Sequence, residues 1–165
     1  IKFLVNNFLM YLTPLAPLFI PINVGGGLQD RNLNSNIKNI FDSKQQLLIF
    51  PAGICSRKIN GKIQDLVWKK TFISKAIESH RFVIPVYFEA KNSRFFYNLA
   101  RIRKALGIKL NIEMMFLPHE MFQQKGNTFT VTFGKPISYE IFDETKTQHQ
   151  WAQYVRNIVY KMKDL

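Results

Sequence analysis

The run Phe50-Pro51-Ala52-Gly53-Ile54-Cys55-Ser56-Arg57-Lys58 holds the residues best suited to binding chemistry. Leu47-Leu48-Ile49-Phe50 is a continuous apolar run of the kind found in buried parallel strands, and Pro51 stops it. Gly53 permits a backbone angle that other residues avoid. A strand ending there presents Ser56, Arg57 and Lys58 at the mouth of a site. Cations so placed can hold a phosphate or a carboxylate, and Arg can do so through two parallel hydrogen bonds. The same pattern describes a solvated turn with two ordinary surface cations, and on this segment alone the two readings weigh equally. Lys69 and Lys70 either add to an anion-binding mouth or form a solvated helix face, the commoner outcome for lysine.

The elements that would position this segment alternate along the chain. Residues 3–12 read as a helix with Leu4, Phe8 and Leu12 on one stripe, and Phe19 to Val24 as a short strand closed by Gly25-Gly26-Gly27. Residues 33–43 suit an amphipathic helix with Ile37, Ile40 and Phe41 inward. Asp65 reads as the N-cap of a helix reaching about His80, with Trp68, Phe72 and Ala76 on its apolar side. Phe82 to Phe88 is the next expected strand. From about Ser93 a helix carries Phe95, Leu99, Ile102 and Leu106 at spacings of four, three and four, and Gly107 stops it. Thr128 to Phe133 alternates like a half-buried strand, and Trp151, Val155, Ile158 and Met162 mark a last amphipathic helix. Together these predict one α/β domain over residues 1–165, a largely parallel sheet flanked by helices, with 139–165 as a C-terminal helical extension. Right-handed crossovers would place its site at the strand ends.

Bulk properties narrow the function. The 165 residues suit a single core, and 23 Lys plus Arg against 11 Asp plus Glu give a formal charge of +12, which favours a polyanionic partner. A lone cysteine, Cys55, excludes an internal disulfide and a cysteine-ligated zinc; with no histidine placed to activate it, it reads as a spectator. It is compatible with a reducing cytosol. His80, His119 and His149 lie far apart without ligand spacing, so neither a metal nor a cofactor is expected. The apolar opening carries Pro14, Pro17 and Pro21, which would repeatedly break a membrane-spanning helix. From Lys91 to Ile112 there are six basic residues and no acidic one, beside Phe95, Phe96 and Tyr97. That segment fits either an interfacial membrane helix or a core helix with a cationic outer face.

Phe50, Pro51, Gly53, Ser56 and Arg57 match, position for position, the block FPEGTRSR, and the segment resembles that of the lysophosphatidic acid acyltransferase family. Phe19-Ile20-Pro21-Ile22 with Arg31 resembles its second block, Val83-Ile84-Pro85-Val86 its fourth, and Thr132-Phe133-Gly134-Lys135-Pro136-Ile137 its closing strand and turn. The block's Glu is Ala52 and its first Arg is Cys55. In the family those two groups serve a glycerol phosphate headgroup, so this chain looks more like the bacterial subgroup labelled hemolysins, similar to O-acyltransferases of amino-acid-based lipids.

The resemblance implies transfer of a fatty acyl group from acyl carrier protein or acyl-CoA to a hydroxyl of an acceptor lipid, either a lysophospholipid or an acylated amino acid. It implies a peripheral protein at the anionic inner face of the cell membrane, on the cytoplasmic side. Ser56, Arg57, Gly53, Lys58 and Arg31 would bind the anionic group of acceptor or donor. The family's general base is a histidine oriented by an aspartate. No histidine precedes His80, so that pair is expected upstream of Ile1 and no catalytic role passes to the three histidines present. Two other readings stand beside this one, a non-catalytic lipid-binding module on the same scaffold and a nucleic-acid-binding domain. Against the second, the chain has no zinc finger, aromatic RNA-binding strand motif or GxxG clamp, and no nucleic acid is expected.

Overall fold

The opening apolar run forms a strand, not the helix predicted over residues 3–12. In the computed structural model, which describes residues 1–22 and 33–164, β1 (Lys2–Asn6) pairs in parallel with β2 (Phe19–Ile22) and β3 (Leu47–Leu48) in the order β2-β1-β3. Phe3 lies opposite both Phe19 and Leu48, and Val5 and Ile20 are buried. A short apolar run satisfies either period, and here pairing with two strands decides. Two 3-10 turns, Asn7–Tyr11 and Thr13–Leu18, join β1 to β2, and Pro14 and Pro17 keep that connection from becoming a longer helix. Pro21, which lacks a ladder donor, is accommodated on a strand at the end of this order. Val24, the three glycines and Arg31 lie outside the described residues. α1 (Leu33–Asp42) follows as predicted, with Ile37, Ile40 and Phe41 partly buried.

Beyond β3 the pairing becomes antiparallel. β4 (Arg57–Ile59) and β5 (Lys62–Gln64) form a hairpin through Asn60 and Gly61, whose φ values of 49° and 79° suit a tight two-residue turn. β6 (Val86–Glu89) pairs antiparallel with β7 (Thr130–Phe133), Val86 opposite Phe133, and a bridge between Val83 and Ile137 extends it. The largely parallel sheet predicted from the strand–helix alternation is thus realised in the first sheet alone.

α2 (Thr71–Glu78) begins six residues after Asp65, which is not its N-cap. The carboxylate is engaged elsewhere, as described below. Phe72, Ile73 and Ala76 of α2 pack with Trp68 against Trp151, Ala152, Val155 and Val159 of α5 (Gln148–Lys161), with Ile137 and Phe142 completing the cluster. The C-terminal helix therefore belongs to the same core as α2. Its start is secured by Thr147 and Gln150, which cap each other's backbone N–H reciprocally.

α3 (Arg94–Ala105) is capped by Ser93, which accepts from the Phe96 N–H, and Gly107 follows its end at φ +71°. Its core face is Phe96, Tyr97 and Ala100. The stripe at the predicted spacing points outward instead. A 3-10 turn (Ile112–Phe116) and α4 (Leu117–Gln123) then lead to β7.

Candidate anion-binding site

The segment after β3 turns at Gly53, whose N–H donates to the Phe50 carbonyl at 3.0 Å and whose φ of +76° is one that a side chain resists. The Lys69 N–H donates to the Pro51 carbonyl at 3.0 Å and ties this turn to the approach of α2. Between those anchors lie Cys55, Ser56 and the β4–β5 hairpin.

Asp65 organises the inner side of this loop. Its carboxylate accepts the Ser56 hydroxyl at 2.6 Å and the Trp68 indole N–H at 3.0 Å. α5 holds Asp65 in turn. The Asp65 N–H donates to the Tyr160 hydroxyl at 2.7 Å, Arg156 donates to the Asp65 carbonyl at 3.2 Å, and Gln153 donates to the Trp68 carbonyl at 2.9 Å. Burial pushes the Tyr160 phenol up from its ordinary pKa, so it stays neutral and available to this bond. Ser56 is thereby oriented from behind by the last helix.

Arg57 opens β4 and is 9% exposed. Its guanidinium donates to Glu113 Oε1 at 2.7 Å and to the Cys55 and Ser56 carbonyls at 2.9 and 3.3 Å, and it stands 5.4 Å from the centre of the Phe96 ring. Glu113, on the 3-10 turn after α3, is fully buried. A second cation reaches it: Arg103 of α3 donates to Oε1 at 3.4 Å and brings Nε within 2.8 Å of Oε2. That last contact is ionic without hydrogen-bond alignment, since neither atom finds a directional partner. Two guanidiniums share one carboxylate, so the three-residue cluster carries a net charge of +1 in nearly buried surroundings. Such a charge is suited to one further anionic oxygen pair, because the desolvated cation gains most from a partner.

The other candidates are placed differently. Lys58 follows Arg57 on the same strand and so points to the opposite face, where it is exposed. Arg57 and Lys58 do not converge on one anion. Lys69 and Lys70 are exposed. The His80 ring lies tilted at 35° against Tyr139 with ring centres 4.9 Å apart, and His119 contacts the Gln123 amide at 2.9 Å. Among the described residues no group of three or more His, Cys, Asp or Glu side chains is gathered to hold a metal. Glu113, Arg103, Asp65 and Tyr160 are the functional neighbours that sequence reasoning did not assign. Asp65 was named there only as a helix cap, and Glu113, the first acid after the basic run, was given no role.

Burial raises the Cys55 thiol pKa, and the nearby Arg57 charge only partly offsets it. At pH 8 its thiolate fraction is therefore smaller than that of free cysteine. Iodoacetamide should alkylate the folded protein several-fold more slowly than the free amino acid, with a rate still climbing above pH 9. A rate matching free cysteine would remove Cys55 from the role of inert packing residue.

A family model described as acyltransferase matches residues 1–165. The lyso-glycine lipid O-acyltransferase of Bacteroides thetaiotaomicron is 54% identical over 162 residues, covering 98% of this chain and 59% of that protein. The protein of the same name from Phocaeicola vulgatus is 53% identical over 162 residues, covering 98% of this chain and 58% of its own. The chain thus spans about three-fifths of the length of these relatives. No solved structure matches it.

Proposed function

The chain belongs to the acyltransferase family, and on that premise we propose that it serves an O-acyltransferase moving a fatty acyl group from acyl carrier protein or acyl-CoA to a hydroxyl of a lyso-glycine lipid at a membrane surface. The observation that carries this is the 53–54% identity, over 98% of the chain, to two relatives named lyso-glycine lipid O-acyltransferase. In the reaction the acceptor hydroxyl attacks the thioester carbonyl, a C–O bond forms, the C–S bond breaks, and the thiol leaves with the hydroxyl proton.

The Arg57–Glu113–Arg103 cluster supports the choice of acceptor. Its net charge is one, and glycine acylated on nitrogen retains one carboxylate, whereas a phosphate monoester carries about −1.5 to −2 at neutral pH. Ala52 and Cys55 stand where the resembling block carries Glu and Arg, so the loop lacks both side chains that serve a glycerol phosphate headgroup in that block, at unchanged net charge. Arg57 accordingly binds and orients the acceptor's anionic end, while Ser56, whose one hydroxyl proton is donated to Asp65, holds the loop around it. Proton transfer is assigned to neither, since an arginine stays charged and the Ser56 hydroxyl is committed to Asp65.

The test is acyl transfer by the full-length protein from labelled acyl carrier protein and acyl-CoA, with lyso-glycine lipid and lysophosphatidic acid as competing acceptors. Transfer to the glycine lipid is expected. Arg57→Ala should cut kcat/KM for that acceptor by about 10²-fold, the scale of a lost charge-assisted hydrogen bond in a desolvated site. Preference for lysophosphatidic acid would overturn the acceptor assignment. Lipid binding without transfer from either donor would instead make the protein a binding module on this scaffold.

A further inference from the structure

α3 carries two apolar faces, and only one reaches the core. Phe96, Tyr97 and Ala100 are buried, while Phe95 and Ile102 are each 53% exposed and Leu106 69%. The outer stripe, completed by half-buried Leu99, is turned from the core face by about a third of a helical turn. It continues past the helix: Phe116 meets Phe95 edge-on at 5.2 Å, and neighbouring Met115 is 67% exposed. Isolated apolar side chains on a surface are ordinary, but a continuous stripe on one helix implies a second apolar phase against it.

The charges around the stripe say which phase. Arg94 and Arg101, seven residues apart on one flank, are exposed, as are Lys91, Lys104 and Lys109. Between Glu89 and Glu140 the acids are Glu113 and Glu120, and both are buried. Glu113 is held by Arg57 and Arg103, and Glu120 accepts the Ser93 N–H and hydroxyl. From Lys91 to Tyr139 the chain therefore shows solvent cations and no carboxylate. Aliphatic side chains bordered by cations of one sign complement the boundary between acyl chains and anionic headgroups. A nucleic acid would match the cations but leave Ile102, Leu106 and Met115 against phosphate and water.

We propose that this face of α3, with Met115 and Phe116, docks into an anionic bilayer, the aliphatic groups below the headgroups and the flanking Arg94 and Arg101 among the lipid phosphates. The proposal rests on action at a membrane surface and assigns it to one face. α3 lies between that face and the binding cluster, since Phe96 on its inner side contacts Arg57. The cluster is then about one helix diameter, roughly 10 Å, from the bilayer boundary. A lipid acceptor can reach it with its chains still in the membrane.

The experiment uses the full-length protein and vesicles of phosphatidylcholine with or without phosphatidylglycerol. An environment-sensitive dye on Ile102→Cys, in a background with Cys55 and every other cysteine of the full-length protein replaced by Ser, should shift to the blue on adding the anionic vesicles and not the neutral ones. Arg94→Ala with Arg101→Ala should weaken vesicle binding by about tenfold or more at low salt. Ile102→Glu with Leu106→Glu should weaken it at least as much, yet keep transfer to acceptor dispersed in detergent. Vesicle binding without a dye shift would overturn the proposal by placing the contact on another face. A dye already blue-shifted before lipid is added would overturn it too, showing that protein covers the stripe. Transfer activity is scored separately: a dye shift in a protein that transfers no acyl group from either donor leaves the docking face standing and removes the catalytic reading.

Discussion

Glu113→Ala is expected to lower the unfolding free energy by about 3–5 kcal/mol, read as a fall in the urea midpoint at unchanged slope. The carboxylate is fully buried, and the Arg57 and Arg103 side chains that flank it are only 11% and 13% exposed. Its attraction to two guanidiniums is what allows both to be withdrawn from water. Without it, two like charges face each other across a space too closed to hydrate them. Glu113→Gln keeps the shape and one acceptor but not the charge, so its effect should be intermediate. Replacing all three residues with apolar ones of similar volume should recover much of the stability, because an ion cluster of this kind costs about as much to bury as it returns. That triple variant separates structure from function. If Arg57 binds the acceptor's carboxylate, the variant stays folded and transfers no acyl group. A Glu113→Ala protein with an unchanged midpoint would mean that the cluster is hydrated in solution and that the single trapped charge does not exist.

How much of this was legible depended on whether local chemistry or distant pairing decided each element. α1 and α5 were legible because their apolar spacing suits one period only. The loop from Phe50 to Arg57 was found as a motif, and Gly53 has the positive φ that its residue type suggested. The opening segment was misread because ten mainly apolar residues fit a helix or a strand, and only the register with Phe19 and Leu48 chooses. The β4–β5 hairpin has its local signal in Asn60-Gly61, a dipeptide suited to a tight two-residue turn. Asp65 was read as a cap because Asp before an apolar run commonly is one; a contact nine residues back, to Ser56, took its carboxylate instead. On α3 the spacing of Phe95, Leu99, Ile102 and Leu106 was real, but spacing identifies an apolar stripe without saying what lies against it. The partner of Arg57 is 56 residues away. Nothing local in either residue announces that pair.

Trp151→Ala should cost about 3–5 kcal/mol, the range for emptying a buried aromatic site. Trp151 is 5% exposed, meets Phe142 and Tyr154 edge-on at 5.7 and 5.3 Å, and donates its indole N–H to the Asp143 carbonyl at 3.0 Å. Trp151→Phe refills most of the volume but leaves that carbonyl without its donor, so about 1–2 kcal/mol is expected. For a domain whose total stability is about 5–15 kcal/mol, the alanine change brings the folded state close to its limit at 37 °C. The consequence reaches the site because the same helix supplies Gln153, Arg156 and Tyr160, which hold Trp68 and Asp65 and through them Ser56. Thermal unfolding followed beside acyl transfer tells the two kinds of damage apart. Trp151→Ala should lose transfer along with folded population and regain it on cooling, whereas Arg57→Ala should stay deficient at every temperature where it is folded. If Trp151→Ala melts normally and transfers normally, α5 is dispensable to both the core and the loop. If it melts normally but fails to transfer, the helix acts on Ser56 by position alone, through the hydrogen bonds at Asp65.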